Sequence, residues 1–275
     1  MDKQVVIQHT SFIKFMIASM IVNNAEVKNF FEDVAFFKYR HMAWAMEDAK
    51  MEGRDFDAYF DENEIQKLRE LKSQKDLLNY LIADLEENLQ SYQDSEKPTI
   101  ARFKNDDNYF LHRLRKIELE GEITAFNGKK ELPGIKLSVE NKNALVFFLM
   151  EEIFKEYELV LIYTYYKTFS TNAIANSAFT DLVYDSIYHW RRFGELAAQM
   201  GVLTLPRVVP VEKYKDEDVI QFLKENIAEE ISAEKNCLIL AEKIGNEELK
   251  EFLLFISRQE VYHAELLQRA LNSLS

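Results

Sequence analysis

Residues 224–268 read KENIAEEISAEKNCLILAEKIGNEELKEFLLFISRQEVYHAELLQ. The stretch predicts two helices joined at Ile244-Gly245-Asn246-Glu247, with Glu230 on the first and Glu260-Val261-Tyr262-His263 on the second. A helix rises about 1.5 Å per residue, so the axis climbs roughly 24 Å from Glu230 to Asn246, then descends roughly 21 Å to Glu260 and roughly 26 Å to His263. In an antiparallel hairpin Glu230 therefore stands level with Glu260 and His263. Residues three apart share a helix face, so one carboxylate faces a carboxylate and an imidazole. That is half of a carboxylate-bridged two-metal site in a four-helix bundle.

Outward from this hairpin, the chain reads as helix nearly throughout. Seven Gly and four Pro are few for 275 residues, and the long helical periodicities between them predict an all-α protein. Helices are expected over about 5–21, 25–51, 63–92, 98–120, 140–170 and 172–200. Residues 121–139 hold Asn127-Gly128 and Pro133-Gly134 and predict a short irregular or β-hairpin linker. The segment 201–214, with Pro206 and Pro210, is too long for a tight turn and predicts a crossover along the bundle. The expected organisation is two tandem four-helix bundles, 1–120 and 140–275, joined by a linker over 121–139.

The hairpins repeat. A shift of 74 residues carries Glu230 onto Glu156, Asn246 onto Asn172, Tyr262 onto Tyr188 and His263 onto His189. A further shift of 148 residues carries Asn172 onto Asn24, Asp181 onto Asp33 and His189 onto His41. His112 lies 33 residues after Asn79, the same interval that separates His189 from Glu156. Four of the five histidines thus fall in one register of successive hairpins, with His9 the exception.

Net charge is −13, which argues against a nucleic-acid backbone as partner. The single cysteine, Cys237, excludes an intrachain disulfide and a Cys-rich metal site, and its place within a helix reads as core. The apolar run from Ser11 to Val22 contains Lys14 and is too short to span a bilayer. The N-terminal Met-Asp-Lys-Gln is not a secretory n-region. A cytoplasmic protein that engages neither membrane nor nucleic acid is expected.

The second bundle offers Glu156, His189, Glu230, Glu260 and His263 as candidate metal ligands. Two divalent cations a few ångströms apart repel, so several carboxylates must neutralise and bridge them. Neutral imidazoles complete the shell and suit iron, manganese or zinc. Glu225-Asn-Ile-Ala-Glu-Glu230, followed by Glu260-Val-Tyr-His263-Ala-Glu-Leu-Leu, resembles the rubrerythrin branch of the ferritin-like superfamily. The resemblance is strongest over 216–272, moderate over 145–200 and faint over 1–120. It implies a ferritin-like bundle holding two iron ions, or one, with manganese or zinc as substitutes. It also implies redox chemistry on peroxide or oxygen, or Fe(II) oxidation, with those five residues as ligands.

Two departures qualify that expectation. Ser186 stands where the family pattern places a Glu, three residues before His189; Asp185 or Glu152 are the candidate replacements. No rubredoxin-like Cys-x-x-Cys accompanies the bundle, so electrons would come from a separate donor. In the first bundle the matching positions are Gln8, Lys38 with His41, Asn79, and Tyr109 with His112. Neutral groups and a lysine do not hold two dications, so packing, docking or homodimer surface is expected there. The alternative is a weak site of His41 and His112 with His9 or Asp76. Tyr163, Tyr165, Tyr166, Tyr188 and Tyr262 read as core or interface residues, with one a candidate hydrogen-bond donor or redox phenol near the metal. The competing functional readings are an oxygenase acting on an organic substrate and a metal-free helical scaffold.

Overall fold

A computed structural model describes residues 2–92, 96–215 and 218–274. Among the described residues the chain forms nine α-helices and no strands: α1 (Lys3–Ile21), α2 (Ala25–Met51), α3 (Glu62–Gln66), α4 (Gln74–Ser91), α5 (Pro98–Leu114), α6 (Val139–Phe169), α7 (Ala173–Gln199), α8 (Val219–Lys243) and α9 (Glu247–Leu274). Among the described residues no helix is long and apolar enough to cross a membrane.

Local chemistry sets the helix ends. Asn24, Asn172 and Asn246 open α2, α7 and α9; each side-chain oxygen accepts from a backbone N–H of the following turn. These donors have no partner inside the helix, so the cap removes a desolvation cost. Gly245 ends the α8 side of the last turn at φ 68°, a left-handed conformation that glycine adopts without a Cβ clash.

The helix expected over 63–92 is interrupted. After α3 a 3₁₀ turn at Lys67–Arg69 ends the first piece, and Ser73 starts α4 with a reciprocal Ser73/Asp76 capping box. The helix expected to reach residue 120 stops at Leu114. Beyond it, Ile123 N–H donates to the Lys72 carbonyl and Gln74 N–H to the Gly121 carbonyl, both at 2.9 Å, drawing the chain out of helical register. Of the two alternatives for 121–139 the irregular one holds: no strand forms there, and isolated bridges occur at Ser73–Glu122 and Leu132–Ile135. The segment between α7 and α8 holds a single 3₁₀ turn, Val211–Lys213.

The helices pair as hairpins, α1 with α2, α4 with α5, α6 with α7 and α8 with α9. Two compact units result. The first comprises 1–126 with Leu205–Val208; the second comprises 127–204 with 209–275. The loop 127–138 therefore belongs to the second unit instead of forming a separate linker.

In the first unit, α1 is buried on every face from Gln8 to Ile21, so the polar side chains it carries there are partnered inside the protein. Its one internal cation, Lys14, is matched by Asp84 at 2.8 Å and Glu64 at 3.0 Å. In the second unit, α7 also packs on α9, and this seam positions the residues described next.

Candidate metal centre

All five residues singled out in the second unit are buried: Glu156 on α6, His189 on α7, Glu230 on α8, and Glu260 with His263 on α9. They converge. His189 Nδ1 lies 2.9 Å from Glu156 Oε1 and 3.5 Å from Glu260 Oε1. His263 Nδ1 lies 3.1 Å from Glu260 Oε2 and 3.7 Å from Glu230 Oε2. One donor atom from each of His189, Glu260 and His263 lies within 4.8 Å of the other two. Donors sharing one ion with bonds of about 2.0–2.2 Å stand about 3–4 Å apart, so a small adjustment brings these three to one ion.

The far nitrogen of each ring is also held. His189 Nε2–H donates to Gln259 Oε1 at 3.0 Å, and His263 Nε2–H donates to Asp185 Oδ2 at 3.1 Å. Both rings are thereby fixed with Nδ1 toward the acids. Asp185 thus meets the centre through His263 and not as a replacement for the carboxylate missing at Ser186, which is itself buried. Glu152, one turn before Glu156, is buried as well. Gln259 was not legible as a functional residue, because a glutamine beside a glutamate on a helix carries no ligand signal.

Burial alone would lower the pKa of His189, but Glu156 and Glu260 more than offset it and push it up to about 9. His263, likewise buried, is pushed up to about 12 by Asp185, Glu230 and Glu260. Burial raises Glu260 to about 8, and Glu230 beside it adds to the rise. Against its own burial, Glu230 is held down at about 2 by hydrogen bonds to His263 and Glu260. Burial lifts Glu152 to about 7, opposed by Lys155 and reinforced by Glu156. Both imidazoles are thus favoured in the charged form beside the buried carboxylates.

The tyrosines divide. Tyr163 is fully buried and its hydroxyl donates to Asn226 Oδ1 at 2.7 Å, one turn from Glu230. Tyr262 is about half exposed, at 46 %. Phe193 lies against His189 at 6.0 Å, and the next residues along α6 and α7 from the centre, Tyr157 and Trp190, pack on each other at 5.1 Å. Cys237 is buried in α8, and burial raises its thiol pKa.

The first unit uses different residues from those its register suggested. His112 is exposed and Tyr109 is 55 % exposed, so neither joins an internal cluster. The acids that α5 turns toward α2 are Asp107, buried among the apolar residues of its inner face, and the partly buried Asp106. Lys38, fully buried, donates to Asp107 Oδ2 at 2.6 Å and to Gln8 Oε1 at 3.3 Å, and the Tyr92 hydroxyl donates to the same Asp107 oxygen at 2.9 Å. His41 Nε2 meets Asp106 Oδ2 at 3.0 Å, whereas His9 turns Nδ1 to the Tyr59 carbonyl at 3.0 Å. No cluster of metal-ligand type occurs there among the described residues.

A shift of 148 residues for α1 and α2, with 153 for α5, carries His41–Asp106 onto His189–Gln259. The same two shifts carry the Phe37–Phe110 ring pair onto Asp185–His263. They also carry Lys38–Asp107 onto Ser186–Glu260. The register drawn through Tyr109 and His112 was two residues out.

Comparison with known proteins finds no family model, no curated protein and no solved structure that matches the chain.

Proposed function

We propose that the second unit is a ferritin-like metal centre of the rubrerythrin kind, binding iron or manganese for redox chemistry on peroxide or oxygen, or for Fe(II) oxidation. One ion per chain is the favoured stoichiometry. The observation that carries the reading is the orientation of the two imidazoles. Each turns Nδ1 toward buried carboxylates while Nε2–H is held by Gln259 or Asp185. Metal-binding histidines are oriented in this way, their other N–H donating to an oxygen that fixes ring and tautomer.

The donor set fits the group. Two imidazole nitrogens and one carboxylate suit non-haem iron and leave further positions open. A dication that replaces the two Nδ1 protons leaves the charge of the buried cluster unchanged. Ser186 removes the carboxylate that a second ion would draw on, which favours one ion over two. When bound, the ion supplies a redox couple and an open position for a small oxygen species.

The chain's own groups do the rest. Glu156 and Glu230 supply charge at the edge of the triad. Glu152 carries a carboxyl proton near neutral pH. Burial of all five side chains, with Phe193 against the His189 ring, limits water. Reducing equivalents would come from a separate donor.

The test is metal content. Protein purified without chelators, or reconstituted anaerobically with Fe(II), should carry about one ion per chain by elemental analysis, within the high affinities such sites show. Glu260→Ala and His263→Ala should lose it while keeping their helical circular dichroism. Equal and negligible iron, manganese and zinc in all three proteins would overturn the proposal in favour of a metal-free scaffold. With metal present, stoichiometric oxidation of bound Fe(II) by added peroxide supports the redox role, and inertness to both peroxide and oxygen removes it.

A further inference from the structure

The loop leading into α6 takes no part in the metal centre, yet its conformation is closely determined. Gly128 (φ 71°) donates its N–H to the Gly201 carbonyl at 2.7 Å, and Lys130 donates its N–H to the Met200 carbonyl at 2.8 Å. Lys130 has φ 56° and is the only non-glycine in the left-handed region among the described residues. A side chain there is disfavoured and persists only where its surroundings impose it. Pro133-Gly134 then turns the chain so that Leu132 bridges to Ile135.

Between this loop and the end of α7 lies an open cavity of about 490 Å³. Lys130, Lys136 and Lys142 line it, together with Leu132, Ile135 and Met200; Glu131 is the one acid among its lining residues. In a chain of net charge −13, this is a local inversion of sign. None of the three ammonium groups is paired with a carboxylate among the described residues. Lys142 lies in the first turn of α6, where the helix dipole already presents positive charge and a cation is unfavourable. Glu140, which shares that turn, is exposed and does not line the cavity. A backbone held in a disfavoured region, unpaired like charges and a cation at the wrong helix end lie together around one apolar-floored cavity. Each is a local conflict, and one anion relieves two of them.

We propose that this cavity binds an organic anion with an apolar portion. Its carboxylate or phosphate monoester is held among Lys130, Lys136 and Lys142, and its hydrocarbon lies on Ile135 and Leu137, above the buried Leu132 and Met200. The volume falls in the usual range for small-molecule sites, which combine an apolar lining with a few placed polar groups.

The full chain is titrated by calorimetry with octanoate and with octyl phosphate, with octanol and inorganic phosphate as controls. Octanoate, octyl phosphate or both should bind saturably at one site, and the tighter of the two identifies the head group. Each control should bind at least about tenfold more weakly, since neither meets both halves of the site. The triple variant Lys130→Gln/Lys136→Gln/Lys142→Gln should lose about a hundredfold in affinity with its melting temperature unchanged. Affinity of the unaltered chain should fall steeply with added NaCl, a readout that stands even where the variant does not fold. Absence of saturable binding by both anions, octanol binding as tightly as octyl phosphate, an unchanged triple variant, or a salt-independent affinity would each overturn the proposal.

Discussion

Removing the Lys38 ammonium leaves the Asp107 carboxylate buried with its countercharge gone. Burial already raises the Asp107 pKa, and Lys38 is the chief group opposing that rise. Lys38→Met should therefore destabilise the first unit by about 3–5 kcal/mol, the usual cost of breaking a buried pair. Lys38→Met/Asp107→Leu should recover most of the loss. Denaturant midpoints check both, and equal midpoints for single and double variant would show that the pair is not the source of the stability. Acid acts on two further buried residues of this unit. Burial lowers the pKa of His9 to about 4 and, with Lys38 adding to the effect, that of His41 to about 3. An unfolded histidine titrates near 6.5, so between pH 6.5 and 4 the unfolded chain binds more protons than the folded one. Stability of the unit is complete above pH 6.5 and falls as pH is lowered, by about 3 kcal/mol from His9 alone at pH 4. Trp44 fluorescence in a Trp190→Phe background reports on this unit alone. A flat stability from pH 7 to 4.5 would contradict the assignment.

The seam between α7 and α9 decides what the second unit can hold. Asp185 and Gln259 bond to the outer nitrogens of the two histidines across that seam, without offering an oxygen to the centre. Asp185→Ala and Gln259→Ala should each weaken Mn(II) or Co(II) binding about 10- to 100-fold, the range for lost outer partners of ligand histidines. The helices should survive both changes, because the Asp185 side chain is 35 % exposed and Gln259 is only partly buried. Affinities unchanged in both variants would mean that the rings do not depend on these bonds. In the first unit the same two positions along the helices hold Phe37 and Asp106, so an aromatic pair replaces the acid–imidazole bond. The seams differ at the other mapped positions too: the first holds the Lys38–Asp107 ion pair where the second has Ser186 and Glu260.

Over the whole molecule, the chain passes from the first unit to the second at 126/127 and returns for Leu205–Val208. If the second unit binds metal as proposed, mass action would stabilise that unit by about 2.7 kcal/mol at a hundredfold excess over Kd. Scanning calorimetry should then show one of two unfolding transitions rising with metal while the other stays fixed. A single transition that moves as a whole would show instead that the units unfold together. Helix content was legible from composition and period alone, because a 3.6-residue apolar repeat with few breakers has no other low-energy solution. The level of Glu230 with Glu260 and His263 was legible too, because helix rise and one turn position fix it. The break between α3 and α4 was signalled by Ser73-x-x-Asp76, but the end of α5 was not, since it depends on backbone pairing between residues 72–74 and 121–123. The sequence alone therefore determined an all-helical chain and the height of each candidate ligand along its helix. Only the tertiary structure decided which way each imidazole turns, that Asp107 rather than Tyr109 faces Lys38, and that three lysines surround one cavity. Those outcomes depend on helix rotation and on bonds between residues far apart in the chain, which a one-dimensional period does not encode.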